Sequence, residues 1–114
     1  MSAGSSAPSH WRDNAPVHAA AVRFDLHVAQ SRSLKTKRAA IRPIVDGLRH
    51  RFHVSVAEAE HHDQWQRAAI DVAVVASSHA RLRDTLAAIE RFVVAAPDVE
   101  LLDVETAWLE SERA

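Results

Sequence analysis

The fold is decided by residues 53–78, which read HVSVAEAEHHDQWQRAAIDVAVVASS. Apolar and polar side chains alternate near both ends of this stretch, whereas its middle, residues 61–66, is mostly polar. This pattern predicts two strands joined by a turn, the first over residues 54 to about 60 and the second over residues 68–76. A hairpin makes the two strands antiparallel, so the segments on either side determine the rest of the fold.

A strand and a helix are predicted before the hairpin. Apolar residues alternate with polar ones over residues 22–28, as in a strand with one buried face. Ser33 can cap a helix that continues to about Arg51, with Pro43 on its solvent side. The apolar stripe of this helix is formed by Leu34, Ile41, Val45, Leu48 and Phe52.

A second helix and a last strand follow the hairpin. Ser77 or Ser78 can cap the helix, whose apolar residues recur every three or four positions. The last strand spans residues 99 to about 108 and is expected to direct Leu102 and Val104 toward the core. The element order βαββαβ predicts an α+β fold, a ferredoxin-like sandwich in which a four-stranded antiparallel sheet carries both helices on one face.

A single domain is expected over residues 17–109. The chain has 114 residues, about the length of one domain. Residues 1–16 are rich in Ser, Ala and Pro and lack apolar periodicity, which predicts a disordered N-terminal tail. Residues 110–114 are assigned to a C-terminal tail.

The composition excludes several classes of protein. The chain contains no cysteine, so disulfide bonds and thiolate metal sites are excluded, and a reducing compartment, the cytoplasm, is expected. Its two glycines, Gly4 and Gly47, are too few for a glycine-rich phosphate-binding loop. No apolar run is long enough to span a bilayer, and neither a membrane partner nor a small-molecule cofactor is expected.

Positive charge is concentrated in the first predicted helix. The net charge of the chain is −1, yet half of its 14 Lys and Arg residues lie between positions 32 and 51, where Asp46 is the single acidic residue. Such a concentration predicts contact with the phosphates of structured RNA, for example on a ribosomal particle. The candidate phosphate-binding residues are Arg32, Lys35, Lys37, Arg38, Arg42, Arg49 and Arg51, of which Lys35, Arg38, Arg42 and Arg49 share one flank of the helix.

An alternative is that this basic surface is neutralised within the chain. The C-terminal segment carries six carboxylates that could pair with it and leave nothing for an external anion. These are Asp98, Glu100, Asp103, Glu105, Glu110 and Glu112.

The sheet face away from the helices is expected to be small and acidic. RNA-recognition modules of this topology stack bases on aromatic residues at that face, and no such residue is predicted there. Alanines such as Ala57 and Ala73 allow close approach, so the second hypothesis is a homodimeric interaction module that uses this face or an edge strand. The residues assigned to the face are Arg23, Asp25, His27, Ser55, Ala57, Ala69, Asp71, Ala73, Val75, Leu101, Asp103 and Glu105.

The third hypothesis is a metal-dependent enzyme. The histidine-rich turn has the residue types of a divalent metal site, but its spacing matches no familiar motif. Asp25 and Asp71, on neighbouring strands, could hold a cation or exchange protons, with Arg23 as a simpler counter-ion. Ordinary surface roles are favoured for both groups, so no catalytic, cofactor-binding or metal-binding residue is assigned. The candidate ligands of the turn are His53, Glu58, Glu60, His61, His62 and Asp63.

Five short motifs lie within the first predicted helix and the hairpin: Ser33-Leu34-Lys35, Lys37-Arg38, Arg51-Phe52, Ser55-Val56-Ala57-Glu58 and Trp65-Gln66-Arg67-Ala68. They resemble the YlxP-like family of small bacterial proteins, domain of unknown function 503, and the likeness covers about residues 22–108. The chain departs from the family pattern at His53, where Asn is frequent, and at Asp71, where Gly is usual. The resemblance implies a ferredoxin-like fold and no established catalytic activity. Genes of this family often lie beside translation genes, which suggests an RNA- or ribosome-associated role.

Overall fold

The computed structural model describes residues 17–59, 61 and 63–109 of the chain. Within them, the elements follow the predicted order βαββαβ. They are β1 (His18–His27), α1 (Leu34–Phe52), β2 (Ser55–Glu58), β3 (Arg67–Ala76), α2 (His79–Val94) and β4 (Glu100–Leu109). The predicted tails, residues 1–16 and 110–114, lie outside the described residues.

The strands form one antiparallel sheet in the order β2-β3-β1-β4. On the two central strands, Phe24 pairs with Ile70 and Val22 with Val72, and all four side chains are buried in one cluster with residues of both helices. One face of the sheet is therefore covered by α1 and α2. We call the other face the open face. This arrangement is the ferredoxin-like α+β fold that the sequence predicts.

The helices cover different parts of the sheet. α1 packs against β2 and α2, whereas α2 packs against β3, β1 and β4. Because β2 and β4 are the two edges of the sheet, β4 lies on the side away from α1. None of the described helices is long and apolar enough to cross a membrane. The buried residues of the helices are Lys37, Ile41, Ile44, Leu48, Leu82, Ile89 and Val93.

The ends of α1 follow known capping chemistry. The Ser33 hydroxyl accepts a hydrogen bond from the Thr36 backbone N–H, and the Thr36 hydroxyl accepts one from the Ser33 N–H, which completes a capping box. Pro43 is exposed within an otherwise continuous helix, as predicted. His53 caps the C-terminus with a φ of 54°, a left-handed conformation in which Asn is the commonest residue after Gly. Ser78 caps α2.

β1 begins at His18, earlier than predicted. Its first residues include the alanines at positions 19–21, whose sequence shows no apolar–polar alternation. They nevertheless pair with β3 on one side and β4 on the other. The strand is extended here by its two neighbours rather than by a local pattern.

The predicted directions of Leu101 and Leu102 are wrong. The register of β4 shifts so that Asp25 pairs with Asp103 but Leu26 pairs with Leu101. Leu102 is the extra residue of this β-bulge and is 47% exposed, whereas Leu101 packs against the core. A bulge adds one residue to a strand, so the simple alternation predicts the wrong face on one side of it.

Candidate functional site

Five exposed cations lie along one flank of α1 and just before it. Lys35, Arg38 and Arg42 follow one another at spacings of three and four residues, so they share a side of the helix. Arg32 precedes the helix and Arg49 lies in its last turn, and both are exposed. We call these five residues the basic flank. At about 1.5 Å per residue, the helical part of the flank extends for about 21 Å.

Lys37, which the sequence places among the phosphate-binding candidates, lies in the interior. It is 3% exposed, on the same stripe of α1 as Ile41. Its ammonium donates hydrogen bonds to the carbonyl oxygens of His61 at 2.7 Å, Gln64 at 2.7 Å and Arg67 at 3.1 Å. Burial lowers the pKa of Lys37. An ammonium group has three donors, all used here, so Lys37 is removed from the candidate set.

Arg49 and Arg51 are exposed but make contacts within the protein. Arg49 Nη2 donates a 2.8 Å hydrogen bond to the carbonyl oxygen of Val56 on the edge strand β2. The guanidinium of Arg51 lies 5.3 Å from the ring centroid of Phe92 and 6.0 Å from that of Phe52, in the range of cation–π contacts. Arg49 is thus held on the basic flank, whereas Arg51 turns toward α2.

Internal neutralisation of the basic flank is not seen within the described part of the chain. β4 carries three of the six C-terminal carboxylates, Glu100, Asp103 and Glu105, and lies at the sheet edge farthest from α1. Asp98 lies closer to α1 but forms no ion pair with a described residue. Glu110 and Glu112 lie outside the described residues. The ion pairs that the described residues form are Arg23–Asp71, Arg67–Asp25, His61–Asp25 and His27–Glu100.

The open face carries two arginine–aspartate pairs. Arg23 binds Asp71 in bidentate fashion, with Nε–Oδ1 at 2.7 Å and Nη2–Oδ2 at 2.9 Å. This hydrogen bonding holds the pKa of Asp71 below its usual value, although partial burial opposes the shift. Arg67 Nη2 lies 2.6 Å from Asp25 Oδ2. Asp71 and Asp25, the two acid/base candidates of the sequence analysis, are therefore each bound to an arginine. Arg23 is a counter-ion, as anticipated from the sequence.

The Asp25 pair is less complete than the Asp71 pair. Asp25 Oδ1 and Arg67 Nε are both buried and make no hydrogen bond with the described residues. His61 Nε2 lies 3.6 Å from Asp25 Oδ1, beyond ordinary hydrogen-bond distance. Thus His61 approaches the open face with its side chain while its carbonyl oxygen accepts from Lys37.

The histidine-rich turn does not assemble into a metal centre within the described residues. No group of three or more His, Asp or Glu side chains there is placed to hold a metal ion. His53 caps α1, and Asp63 is exposed in the loop between β2 and β3. His62 and Glu60 lie outside the described residues, so their part of the hypothesis stays a prediction.

Two residues with structural roles were not identified from the sequence, although a signal was present for each. Lys37 precedes Ile41, Ile44 and Leu48 at spacings of four, three and four, which is the spacing of a buried stripe. Arg67 has the same parity along β3 as Asp71, so alternation alone places it on the open face. In both cases the side chain is charged, and its position in the periodic pattern was therefore not used to predict where it points.

The fold and the basic flank define a small α+β protein with a ferredoxin-like sheet and a cationic first helix. A family model described as a protein of unknown function (DUF503) matches residues 19–106, and the chain belongs to this family. The uncharacterized protein YlxP of Bacillus subtilis (strain 168) is 33% identical over 76 residues, which cover 67% of this chain and 83% of that protein. These matches confirm the resemblance carried by the motifs.

The chain is also similar to a solved structure. It is the solution NMR structure of a de novo designed protein, LFR1 1, with a ferredoxin fold. The TM-score is 0.45 and the sequence identity 8%, with 82% of this chain and 87% of that chain covered.

Proposed function

We propose that the basic flank of α1 binds the phosphates of structured RNA, such as RNA on a ribosomal particle. One observation carries the proposal: Lys35, Arg38 and Arg42 are exposed and form no ion pair with any described residue. Their charge is therefore available to an external anion. The role is binding without catalysis, in the cytoplasm, where ribosomal particles are found.

The length of the basic flank favours a polyanion over a single phosphate. Cations spread along about 21 Å of helix cannot all reach one phosphate group. Like charges three or four residues apart repel each other by a few tenths of a kcal/mol, and an RNA backbone relieves this repulsion while releasing its counterions. Side chains that contact phosphates read no base edges, so binding is expected to tolerate changes of RNA sequence.

The open face supports this choice of surface because it is poorly suited to bind RNA itself. The residues of β1 and β3 that point to it include no Phe, Tyr or Trp on which a base could stack. Asp103 and Glu105 of β4 are exposed at its edge and would repel phosphates. Contact through α1 avoids both difficulties.

The proposal is tested by the salt dependence of RNA binding. Wild type and the double variant Lys35→Glu/Arg38→Glu are titrated with ribosomal subunits and with a structured ribosomal RNA fragment over a series of KCl concentrations. Each phosphate contact contributes roughly 0.7–0.9 to the slope of log affinity against log salt. We expect the double variant to bind at least about tenfold more weakly and with a slope smaller by roughly 1.5.

The matched control reverses two exposed charges elsewhere. Arg81→Glu/Arg83→Glu on α2 changes the net charge by the same amount and is expected to keep most of the affinity. A wild-type affinity that does not depend on salt, or an equal loss in both double variants, contradicts the proposal.

A further inference from the structure

The open face divides into an apolar half and a charged half. The apolar half lies over the first residues of β1 and the strand segments that pair with them. Within it, Val75 is 76% exposed and Leu109 is 58% exposed. A β-branched residue on a central strand ordinarily packs against a second layer, so this half lacks a covering surface. The apolar half consists of Ala19, Ala21, Ala73, Val75, Ala107 and Leu109.

The middle of the open face is a shallow groove. A groove of about 570 Å³ lies over Ala21, Ala73 and Ala107, and it extends to the Arg23–Asp71 pair. Its walls are short side chains, so another backbone can approach the sheet closely. The groove thus joins the apolar half to the better satisfied of the two ion pairs.

We propose that a second copy of this chain covers the open face, related by a two-fold axis that runs roughly parallel to the strands, between β1 and β3. Rotation about this axis leaves each residue at the same position along the strand direction and reverses the order of the strands across the axis. As a result, β1 of one copy lies over β3 of the other. Since Ala19 pairs with Val75 and Ala21 with Ala73 within one sheet, Val75 then faces Ala19 of the second copy. The large side chain of Val75 thus lies opposite the small side chain of Ala19. The apolar half of one copy contacts the apolar half of the other.

The same axis makes the charges complementary. Within one copy, Arg23 and Asp71 are bound to each other across β1 and β3. In the dimer, Arg23 faces Asp71 of the second copy, and Asp71 faces Arg23 of the second copy. Four charges of alternating sign surround the axis. Glu105 of each copy lies on the outer side of this group, level with Arg23 on β4. The centre of the open face thus complements itself in both shape and charge, as a two-fold interface requires.

The size of the face is adequate for a dimer. Four strands about 4.8 Å apart, with residues about 3.3 Å apart along them, give a flat area of roughly 500–600 Å². Corrugation of side chains increases the accessible area toward the about 800 Å² per partner that specific interfaces bury. The face therefore offers enough surface only if both halves are covered.

Sedimentation of the full chain tests this inference. We expect the wild type to be dimeric at concentrations on the order of 100 µM and to dissociate on dilution. Val75→Lys places a charge in the centre of the interface and is expected to raise the dissociation constant by about tenfold or more. Val94→Lys makes the same change at an exposed valine on α2, 58% exposed, and is expected to leave the dimer intact. A monomeric wild type, or equal effects of the two variants, overturns the inference.

A charge exchange tests the position of the axis. Arg23→Asp gives a chain with two aspartates at the axis, and Asp71→Arg gives a chain with two arginines there. Each variant alone is expected to be monomeric because like charges face each other across the interface. Mixed in equal amounts, they are expected to form a heterodimer, since opposite charges then face each other. Failure of the mixture to associate, with both variants folded by circular dichroism, overturns the proposed arrangement.

The N-terminal segment is the other occupant that the test can detect. Removal of residues 1–16 is expected to leave the dimer unchanged. If the wild type is monomeric and only the shortened chain dimerises, residues 1–16 cover the open face in the full chain and the inference is wrong. The test uses a surface separate from the basic flank, so its outcome does not depend on RNA binding.

Discussion

The ammonium of Lys37 donates a 2.7 Å hydrogen bond to the carbonyl oxygen of Gln64, which ties the buried side of α1 to the loop between β2 and β3. Two more carbonyl oxygens, those of His61 and Arg67, accept from the same nitrogen. A buried ammonium is costly unless its donors are satisfied, and here two acceptors come from the loop backbone and the third from Arg67, the first residue of β3. The loop in turn gains a fixed conformation, in which His61 has a φ of 68°.

Replacement of Lys37 by Met is expected to destabilise the protein by about 2–3 kcal/mol, because three carbonyl oxygens lose their donor and the loop loses its anchor. Lys35→Met, the same change on the exposed side of α1, is expected to alter the free energy of unfolding by less than about 0.5 kcal/mol. Urea denaturation measures both. Similar values for the two variants would show that the loop does not depend on Lys37.

The ion pair between Arg23 and Asp71 predicts a dependence of stability on acid. Hydrogen bonding to Arg23 lowers the pKa of Asp71 from its ordinary 3.8, so its contribution is complete above that pH and is lost as the pH falls through the lowered pKa. Both side chains are more than a third exposed, so the contribution is expected to be about 1 kcal/mol or less.

The measurement compares the free energy of unfolding of wild type and Asp71→Asn from neutral pH to about pH 2. We expect the difference between them to shrink at the acid end. Asp103→Asn, on the same face but without an ion pair among the described residues, is the control. A difference that stays constant with pH would contradict the role of the pair.

Gly47 lies within α1, where replacement of Gly by Ala ordinarily stabilises a helix by about 0.5–1 kcal/mol. Here an added Cβ would overlap the ring of Phe92, which packs edge-on against Phe52 at a centroid distance of 6.0 Å. Gly47→Ala is therefore expected to destabilise the protein by about 1 kcal/mol. Thermal unfolding should show the opposite sign in a Phe92→Ala background, where the space is free. The same sign in both backgrounds would refute the packing explanation.

Pro43 interrupts the hydrogen bonding of α1 without contributing to the core, since it is exposed. Its nitrogen cannot donate to the carbonyl oxygen of Ala39, and Pro in a helix interior is about 3 kcal/mol less favourable than Ala. Pro43→Ala is expected to raise the free energy of unfolding by about 1–3 kcal/mol. Chemical denaturation measures the change in the free energy of unfolding. An unchanged or lower value would show that the proline ring favours the folded protein by an effect that outweighs the lost hydrogen bond.

The fold could be predicted because its signals are local. Alternation in β1 and β3, a serine before each helix and a polar turn are all visible over a few residues. The bulge at Leu102 could not be predicted, since it depends on how β4 meets β1. The same is true of the extension of β1 to His18, which rests on pairing with two neighbouring strands.

The sequence by itself determined the order of the elements and the concentration of positive charge in α1, because periodicity and composition are properties of neighbouring residues. Only the tertiary structure decided which of those charges remain exposed and able to contact an external anion. The three donors of Lys37 are satisfied by carbonyl oxygens of the loop between β2 and β3 and of the first residue of β3, far away in the chain. Lys35 and Arg38, close to Lys37 in the chain, stay exposed to solvent. A helix separates its faces by rotation, and what each face meets depends on elements far away along the chain.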